Sequence, residues 1–371
     1  MRVLQVLEAV EGGTRTHLDH LLRGLRGTCD QAFVYALARD PGYAAQVAEY
    51  RDLGITCREI PMVRQVAPWR DQRAVRALRR FIGEWKPDII HAHSSKAGFV
   101  TRRAARGTGA RVVYTPHCLY FPQRTGLARR LFRWGERINE PATDLYIAVS
   151  DHERDVLIAE VTTPGKVARI DNGVVLPDAP AGPVGRRVLF PARAVRQKGW
   201  EYFVETARIV LPAVPDAAFI FAGDGPELED LRRTVAGAGL TGRITAPGHV
   251  ADMAAAYRAA AVVAVTSRWE GQPYAVLEAM AHGLPVAGFD IPGLNELVSH
   301  GGNGLLAPAF DCAALAGHIV HLLLDPAAAR RLGAEGRTQA RERHALDRFI
   351  TGLQGLYGDL LRTDRHKHKN H

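Results

Sequence analysis

Apolar residues recur along the chain in short runs of strand length, at 3–10, 31–37, 88–92, 112–115 and 145–149, then at 187–190, 218–222, 244–246, 261–266 and 286–289. Longer stretches with apolar residues at helical spacing separate them. This alternation predicts parallel sheets, because neighbouring parallel strands need a long crossover and a helix supplies it. The two sets of runs are parted by residues 177–186, PDAPAGPVGR, whose three prolines and two glycines read as a linker. The predicted fold is therefore α/β, with two Rossmann-like doubly wound domains, 1–176 and 187–345, and ligands expected at the carboxyl ends of the strands where the two halves face a cleft. A last helix is predicted over 346–362, with Phe349, Ile350, Leu353, Leu356, Tyr357 and Leu360 on one stripe. Gly352, Gly355 and Gly358 interrupt it. Each weakens a helix by about 1 kcal/mol relative to alanine, so close packing against another element is expected there. Residues 363–371, TDRHKHKNH, lack an apolar anchor and are expected to be disordered, metal binding by their histidines being the alternative.

Composition bounds the function. A chain of 371 residues that is 47% hydrophobic is large enough for two cores. Its formal net charge of +9 is concentrated, since residues 51–137 hold 19 Lys/Arg against 6 Asp/Glu. Such a basic region suits anionic lipid, a phosphorylated acceptor or nucleic acid. Nucleic acid is disfavoured, because base stacking needs aromatics interleaved with the cations, and the aromatics of 69–81 and 128–137 fall at helical core spacing. In TGLARRLFRWGERINEP the same spacing aligns Leu127, Leu131, Trp134 and Ile138, leaving Arg129, Arg130, Arg133 and Arg137 for the remaining surface. That stripe either packs on the sheet or lies on an anionic membrane. The cysteines, Cys29, Cys57, Cys118 and Cys312, have neither disulfide-framework nor zinc-ligand spacing, which fits a reducing compartment. The opening MRVLQVLEAVEGG reads as a first strand and not a signal peptide, and no apolar run approaches membrane-spanning length.

Several turns are suited to anions. There is no GxxxxGK[ST] loop and no Asp-x-Asp pair to place a metal on a diphosphate, so protein cations would have to neutralise one. VLFPARAVRQKGWEYF offers them, with an apolar strand leading to Arg193, Lys198 and Gly199 before a helix. The segment EGGTRTHLDHLL repeats the arrangement, with Gly12 and Gly13 ahead of a helix led by Thr14 or Thr16. GDGP at 223–226 reads as a turn in which Pro226 opens a helix. In SRWEGQPYAVLEAMAHGLPV, Pro273 suits a first helical position, which puts Glu270 in the preceding loop and Glu278 on the helix, with the Gln272, Tyr274 and Ala275 amides at its start. Two carboxylates so placed could hold the ends of one polyhydroxylated ligand, or be a cap and a solvated glutamate.

Taken in order, Gly12-Gly13, Arg193 with Lys198-Gly199, Gly223-Asp224-Gly225-Pro226 and the E-x7-E block from Glu270 to Glu278 followed by Gly283-x-Pro285-Val286 resemble the retaining glycosyltransferases of family 4, of the bacterial cell-surface polysaccharide type. The resemblance spans the chain. It implies the GT-B fold, with an acceptor-binding first domain, a nucleotide-sugar-binding second domain and a C-terminal helix that returns to the first. It also implies that Glu278 holds the ribose, that Glu270 contacts the donor sugar beside Gly271 and Gln272, that Arg193 and Lys198 hold the diphosphate, and that Gly248, His249 and Val250 lie beside the base. His117 of YTPHCLYF matches the family histidine near the anomeric carbon; His91 and His93 are expected only to shape the turn presenting Ser94, Ser95 and Lys96. The implied activity is transfer of a sugar, from a UDP-sugar by family habit, to a hydroxyl of a glycan or lipid-linked acceptor with retention, without metal or cofactor. The implied setting is cytoplasmic, peripheral on the inner membrane face. A nucleotide-sugar epimerase or hydrolase is the alternative, and it would need acid–base carboxylates from the first domain. Three positions depart from the pattern: Ala192 and Pro292 stand where glycine is usual, and Pro273 removes an amide that relatives can offer the donor.

Overall fold

The computed structural model describes residues 1–119 and 121–367, with side chains through Arg362. Two compact units are formed, Met1–Asn172 together with the chain from Asp347 onward, and Gly173–Leu346. The first unit's strands are β1 (Arg2–Leu7), β2 (Asp30–Tyr35), β3 (Thr56–Glu59), β4 (Ile89–His93), β5 (Arg111–Thr115), β6 (Leu145–Ala148) and β7 (Val167–Arg169). They pair in parallel in the order β3-β2-β1-β4-β5-β6-β7. The second unit contributes β8 (Arg187–Pro191), β9 (Ala218–Ala222), β10 (Ile244–Gly248), β11 (Val262–Val265), β12 (Val286–Phe289) and β13 (Gly304–Ala307), parallel in the order β10-β9-β8-β11-β12-β13. Each sheet therefore reverses direction beside its first strand, between β1 and β4 and between β8 and β11, and a doubly wound fold opens its ligand crevice at that reversal.

Helices fill the crossovers: α1 (Gly12–Gly24), α2 (Tyr43–Asp52), α3 (Pro68–Trp85), α4 (Ser95–Ala104), α5 (Gly126–Asn139) and α6 (Asp151–Glu160) in the first unit. In the second unit they are α7 (Trp200–Val210), α8 (Leu228–Gly237), α9 (Met253–Arg258), α10 (Tyr274–Ala281), α11 (Cys312–Leu324) and α12 (Pro326–Arg343), and α13 (Leu346–Lys367) closes the described chain. Side-chain alternation along β1 divides the first core. Leu4 and Val6 join α3 and α4 residues such as Leu78, Ile82 and Val100, whereas Leu7 joins Leu18 and Leu22 of α1 on the opposite face.

Residues 177–186 are not a free linker. Ala181 N donates to His282 O (2.9 Å), Val184 N to Ala260 O (3.0 Å) and Arg337 Nη2 to Pro177 O (2.6 Å), so the segment lies on the second unit and the boundary falls between Asn172 and Gly173. The terminal helix also departs from expectation. It runs on to Lys367, through residues expected to be disordered; 368–371 lie outside the described residues. Phe349, Ile350, Leu353 and Tyr357 of α13 are buried, but a Cβ on Gly352 or Gly355 would meet open space. The close approach is made by Gly24 of α1, where a Cβ would collide with the Ile350 side chain.

Helix α5 is inverted. Leu127 is 80% exposed and Leu131 and Trp134 are each 58% exposed, while the residues it buries are Glu136 and Asn139. Glu136 forms an ion pair with the fully buried Arg102 (2.8 Å), whose guanidinium also lies over the Tyr114 ring. Arg129 and Arg133 reach Glu160, and Arg137 Nε donates to Glu160 O (2.8 Å). Leu127, Leu131 and Trp134 of the predicted stripe are thus turned to solvent, whereas Ile138 is half-buried and Phe132 packs on the first unit's core. At the start of α3, Trp69 is 86% exposed, and Arg70, Arg73, Arg76 and Arg79 follow it on the surface. Among the described residues no single helix is long and apolar enough to cross a membrane.

Candidate functional site

In the second unit, the sequence-predicted residues gather on the loops after β8 and β11, the pair of strands flanking its reversal. Arg193 stands two residues beyond β8, and Lys198 closes the following turn before Gly199 and α7. Lys198 Nζ lies 2.6 Å from Glu270 Oε1, which also accepts from Ser267 Oγ (2.6 Å). The two loops are tied by their backbones as well. Arg268 N donates to Gln197 O (2.7 Å), Gln197 Nε2 to Trp269 O (3.1 Å) and Thr266 Oγ1 to Gly199 O (3.0 Å). The cation and the carboxylate are therefore fixed relative to one another before any ligand arrives.

Pro273 is the N-cap of α10 and not its first residue, with Tyr274 and Ala275 opening the helix. Gly271, Gln272 and Tyr274 are buried. Glu278 lies one turn into α10, where Tyr257 of α9 donates its hydroxyl to Oε2 (2.7 Å). Burial pushes the Glu278 carboxyl above the usual carboxylate range, and the bond from Tyr257 opposes this. Gly248 ends β10, His249 is exposed and Val250 packs partly against the second core. The turn Gly223-Asp224-Gly225 sits against the loop after β8: a Cβ on Gly223 would collide with Ala192 O, and one on Gly225 with Ala194 O. Helix α8 then begins at Leu228, capped by Glu227, two residues later than Pro226 suggests. Gly293, with φ of 82°, backs onto the carbonyls of Glu270 and Gly271, a close approach that only glycine permits.

In the first unit, Gly12 and Gly13 open α1 after β1, but neither Thr14 nor Thr16 leads the helix. Glu11 is the N-cap, and Thr14 Oγ1 donates back to Ala9 O (2.5 Å) and Glu11 O (2.8 Å). The carboxylate of Glu8 is buried and gripped by Arg39 through two bonds, 2.8 and 2.7 Å. His91 and His93 do more than shape a turn. As alternate residues of β4 they share one face, in register with Gln5 and Leu7 of β1. His91 bonds Tyr357 (2.6 Å) and Thr115 (2.7 Å), and His93 bonds Gln5 Oε1 through Nε2 (2.9 Å) and His117 Nε2 through Nδ1 (3.0 Å). His17 of α1 joins them, its ring 4.3 Å from that of His117 and its Nδ1 3.1 Å from Asn172 Oδ1. Burial is the first cause that holds His17, His91 and His93 well below the ordinary imidazole range and lowers His117 to about 3, so all four are neutral at neutral pH. His117 and Ser94 have φ of 63° and 72°, positive-φ backbone at the carboxyl ends of β5 and β4. Lys96, expected to be presented by the same turn, is instead paired with buried Asp71 (2.7 Å).

Sequence reasoning missed Tyr257, Ser267, Gln5 and His17. Only tertiary packing brings Tyr257, Gln5 and His17 to their partners, and the conformation of one loop brings Ser267 to Glu270, whereas the His-x-His of β4 is a strand-period signal that alone places two imidazoles on one face.

The sequence matches the family described as Glycosyl transferases group 1 over residues 185–325 and that described as Glycosyl transferase 4-like domain over residues 12–173. It is 30% identical over 281 residues, 70% of this chain and 73% of the relative, to the UDP-Gal:alpha-D-GlcNAc-diphosphoundecaprenol alpha-1,3-galactosyltransferase of Escherichia coli. In fold it resembles the sucrose-phosphate synthase of Thermosynechococcus elongatus, with a TM-score of 0.81 at 22% identity, over 98% of this chain and 100% of that one. It likewise resembles Anabaena HepE, solved in complex with UDP and glucose, with a TM-score of 0.82 at 19% identity, over 96% and 99% of the two chains. The chain belongs to the group 1, family 4-like glycosyltransferases and has their GT-B fold.

Proposed function

We propose that the enzyme moves a hexosyl group from a UDP-sugar to a hydroxyl of a glycan or lipid-linked acceptor, with retention of configuration and without a metal ion. The observation that carries this reading is the half-buried Glu278 carboxylate, bonded to Tyr257 on the same unit that holds Lys198 against Glu270. A carboxylate partly withdrawn from water gains from added donors, and the two ribose hydroxyls of a nucleotide supply them. Arg193 and Lys198, on the loop leading to α7, are assigned the diphosphate. As the bond between the anomeric carbon and the β-phosphate oxygen breaks and the acceptor oxygen bonds that carbon, negative charge builds on the departing UDP, which these cations stabilise and which takes up the proton released by the acceptor hydroxyl. Glu270 and Gly271 are assigned the donor sugar, His117 the region of its anomeric carbon, and Gly248, His249 and Val250 the base. Gln272, Tyr274 and Ala275 line the start of α10 beside the donor, and Gly12 and Gly13 admit the ligand close to the backbone of the first unit.

The acceptor reading is supported by the surface of the first unit. An inverted α5 and the cationic α3, each packed against α4, suit a cytoplasmic enzyme lying on the anionic inner face of a membrane, where a lipid-linked acceptor is found. The Escherichia coli relative bears a name that states a diphosphoundecaprenol acceptor. A panel of nucleotide sugars, assayed for release of the nucleoside diphosphate with and without EDTA, tests the proposal. Turnover of a UDP-sugar that survives EDTA is expected; turnover of GDP-sugars alone, or abolition by EDTA with rescue by magnesium or manganese, overturns the donor and metal assignments.

A further inference from the structure

One ring nitrogen from each of His17, His93 and His117 lies within 4.8 Å of the others. A zinc ion binds imidazole nitrogens at about 2.0–2.1 Å, so three nitrogens around one ion sit roughly 3.4 Å apart. The 3.0 Å separation of His93 Nδ1 and His117 Nε2 is already of that size, and the third nitrogen, within 4.8 Å of both, reaches it by an inward movement of the His17 ring. The surrounding side chains select the tautomers such an ion requires. Gln5 Oε1 accepts from His93 Nε2–H, which makes Nδ1 the lone-pair nitrogen, and Asn172 Oδ1 accepts from His17 Nδ1–H, which does the same for Nε2. Oxygen atoms that take the proton of the far ring nitrogen are the usual outer partners of metal-bound histidine. His117 Nε2–H now donates to His93 Nδ1; it joins the set by carrying its proton on Nδ1 instead, a shift between neutral tautomers that releases no proton.

We propose that His17, His93 and His117 bind one zinc-class transition-metal ion, and that its occupancy shuts off sugar transfer by sequestering His117. An all-imidazole set suits zinc, copper or nickel and not magnesium, calcium or manganese. Three protein ligands leave the fourth tetrahedral position for water or an anion. Metal binding stands on the geometry alone, whereas the block on transfer rests on the role proposed above for His117. The site is inhibitory and separate from the metal-free transfer reaction.

The test uses the full chain with His366, His368 and His371 changed to asparagine, so that the tail cannot contribute ligands. One equivalent of zinc is expected to bind by calorimetry, cobalt(II) to give the intense visible bands of a four-coordinate site, and magnesium to do neither. His17→Gln and His93→Gln should each weaken zinc binding at least a hundredfold, and Gln5→Leu about 10–100-fold, the range seen for outer partners. Binding below one equivalent, or affinity unchanged in both histidine variants, overturns the site. Should those variants fail to fold, the zinc-edge absorption spectrum of the loaded parent chain decides: three imidazoles are expected, and thiolate or all-oxygen ligation overturns the proposal. UDP release is measured on the same samples. Stoichiometric zinc with undiminished transfer overturns the block and the role of His117 together, and transfer lost only in step with zinc occupancy supports both.

Discussion

Glu278 and Lys198 make opposite demands on the donor. A half-buried carboxylate with one tyrosine donor gains from new hydroxyls, so Glu278→Ala should weaken UDP-sugar binding by about 1–3 kcal/mol, read by calorimetric titration. Unchanged affinity in a folded variant removes the ribose role. Lys198 is held by Glu270, and in the role proposed for it its contribution comes as charge develops on the leaving group. Lys198→Ala should therefore lower turnover roughly 10²–10³-fold with a far smaller change in donor affinity. Equal losses in both quantities reduce Lys198 to a positioning group. Both residues were legible in the sequence, because the E-x7-E block and the strand-to-helix turn carry chemistry at short separation. Tyr257 and Ser267 were not, since nothing local marks a hydroxyl whose partner is set by how α9 packs on α10 or by the conformation of one loop.

On the proposed membrane reading, helix α5 would present its apolar residues rather than its arginines. Because Arg129 and Arg133 are engaged by Glu160, the exposed Leu127, Leu131 and Trp134 are the groups available to enter a headgroup layer. Vesicle sedimentation should show salt-sensitive binding to anionic lipid, weakened tenfold or more by Leu127→Ser with Trp134→Ser; binding unaffected by that pair, or absent from anionic vesicles at low salt, ends the membrane reading. All ten strands predicted from apolar runs are present, with ends shifted by up to three residues. The three that were missed, β3, β7 and β13, are sheet edges of three or four residues, and β3 (TCRE) is largely exposed. An edge strand is paired on one side only and needs no continuous apolar run, so periodicity has little to detect. The glycines of α13 misled for a related reason. Spacing reveals that a helix carries glycine, but only packing reveals which partner lacks the side chain, and here it is Gly24 of α1.

The row of neutral histidines makes the first unit sensitive to acid. Each of His17, His91, His93 and His117 has its folded-state pKa depressed, so below the ordinary value near 6.5 the unfolded chain binds protons that the folded chain refuses. Stability is complete above that pH and falls as pH decreases, for His117 down to about 3. The slope is about 1.4 kcal/mol per pH unit for each excluded proton. Urea unfolding followed at pH 7.5 and 5.5 should show a marked loss at the lower pH, and His91→Gln should flatten the dependence; equal midpoints at the two values contradict the neutral row.

The return of α13 to the first unit has a consequence for synthesis. Gln5 and His91 emerge early from the ribosome, yet the Tyr357 hydroxyl that both contact is made only after the whole of Gly173–Leu346. At about 5–20 residues per second that delay is on the order of ten to forty seconds. By its end the second unit has its entire sequence, while throughout it the face of β1 and β4 that α13 will cover stays open with its imidazoles wet. The unit begun first is finished last, and during that interval its uncovered sheet is the surface of the nascent chain most in need of a chaperone.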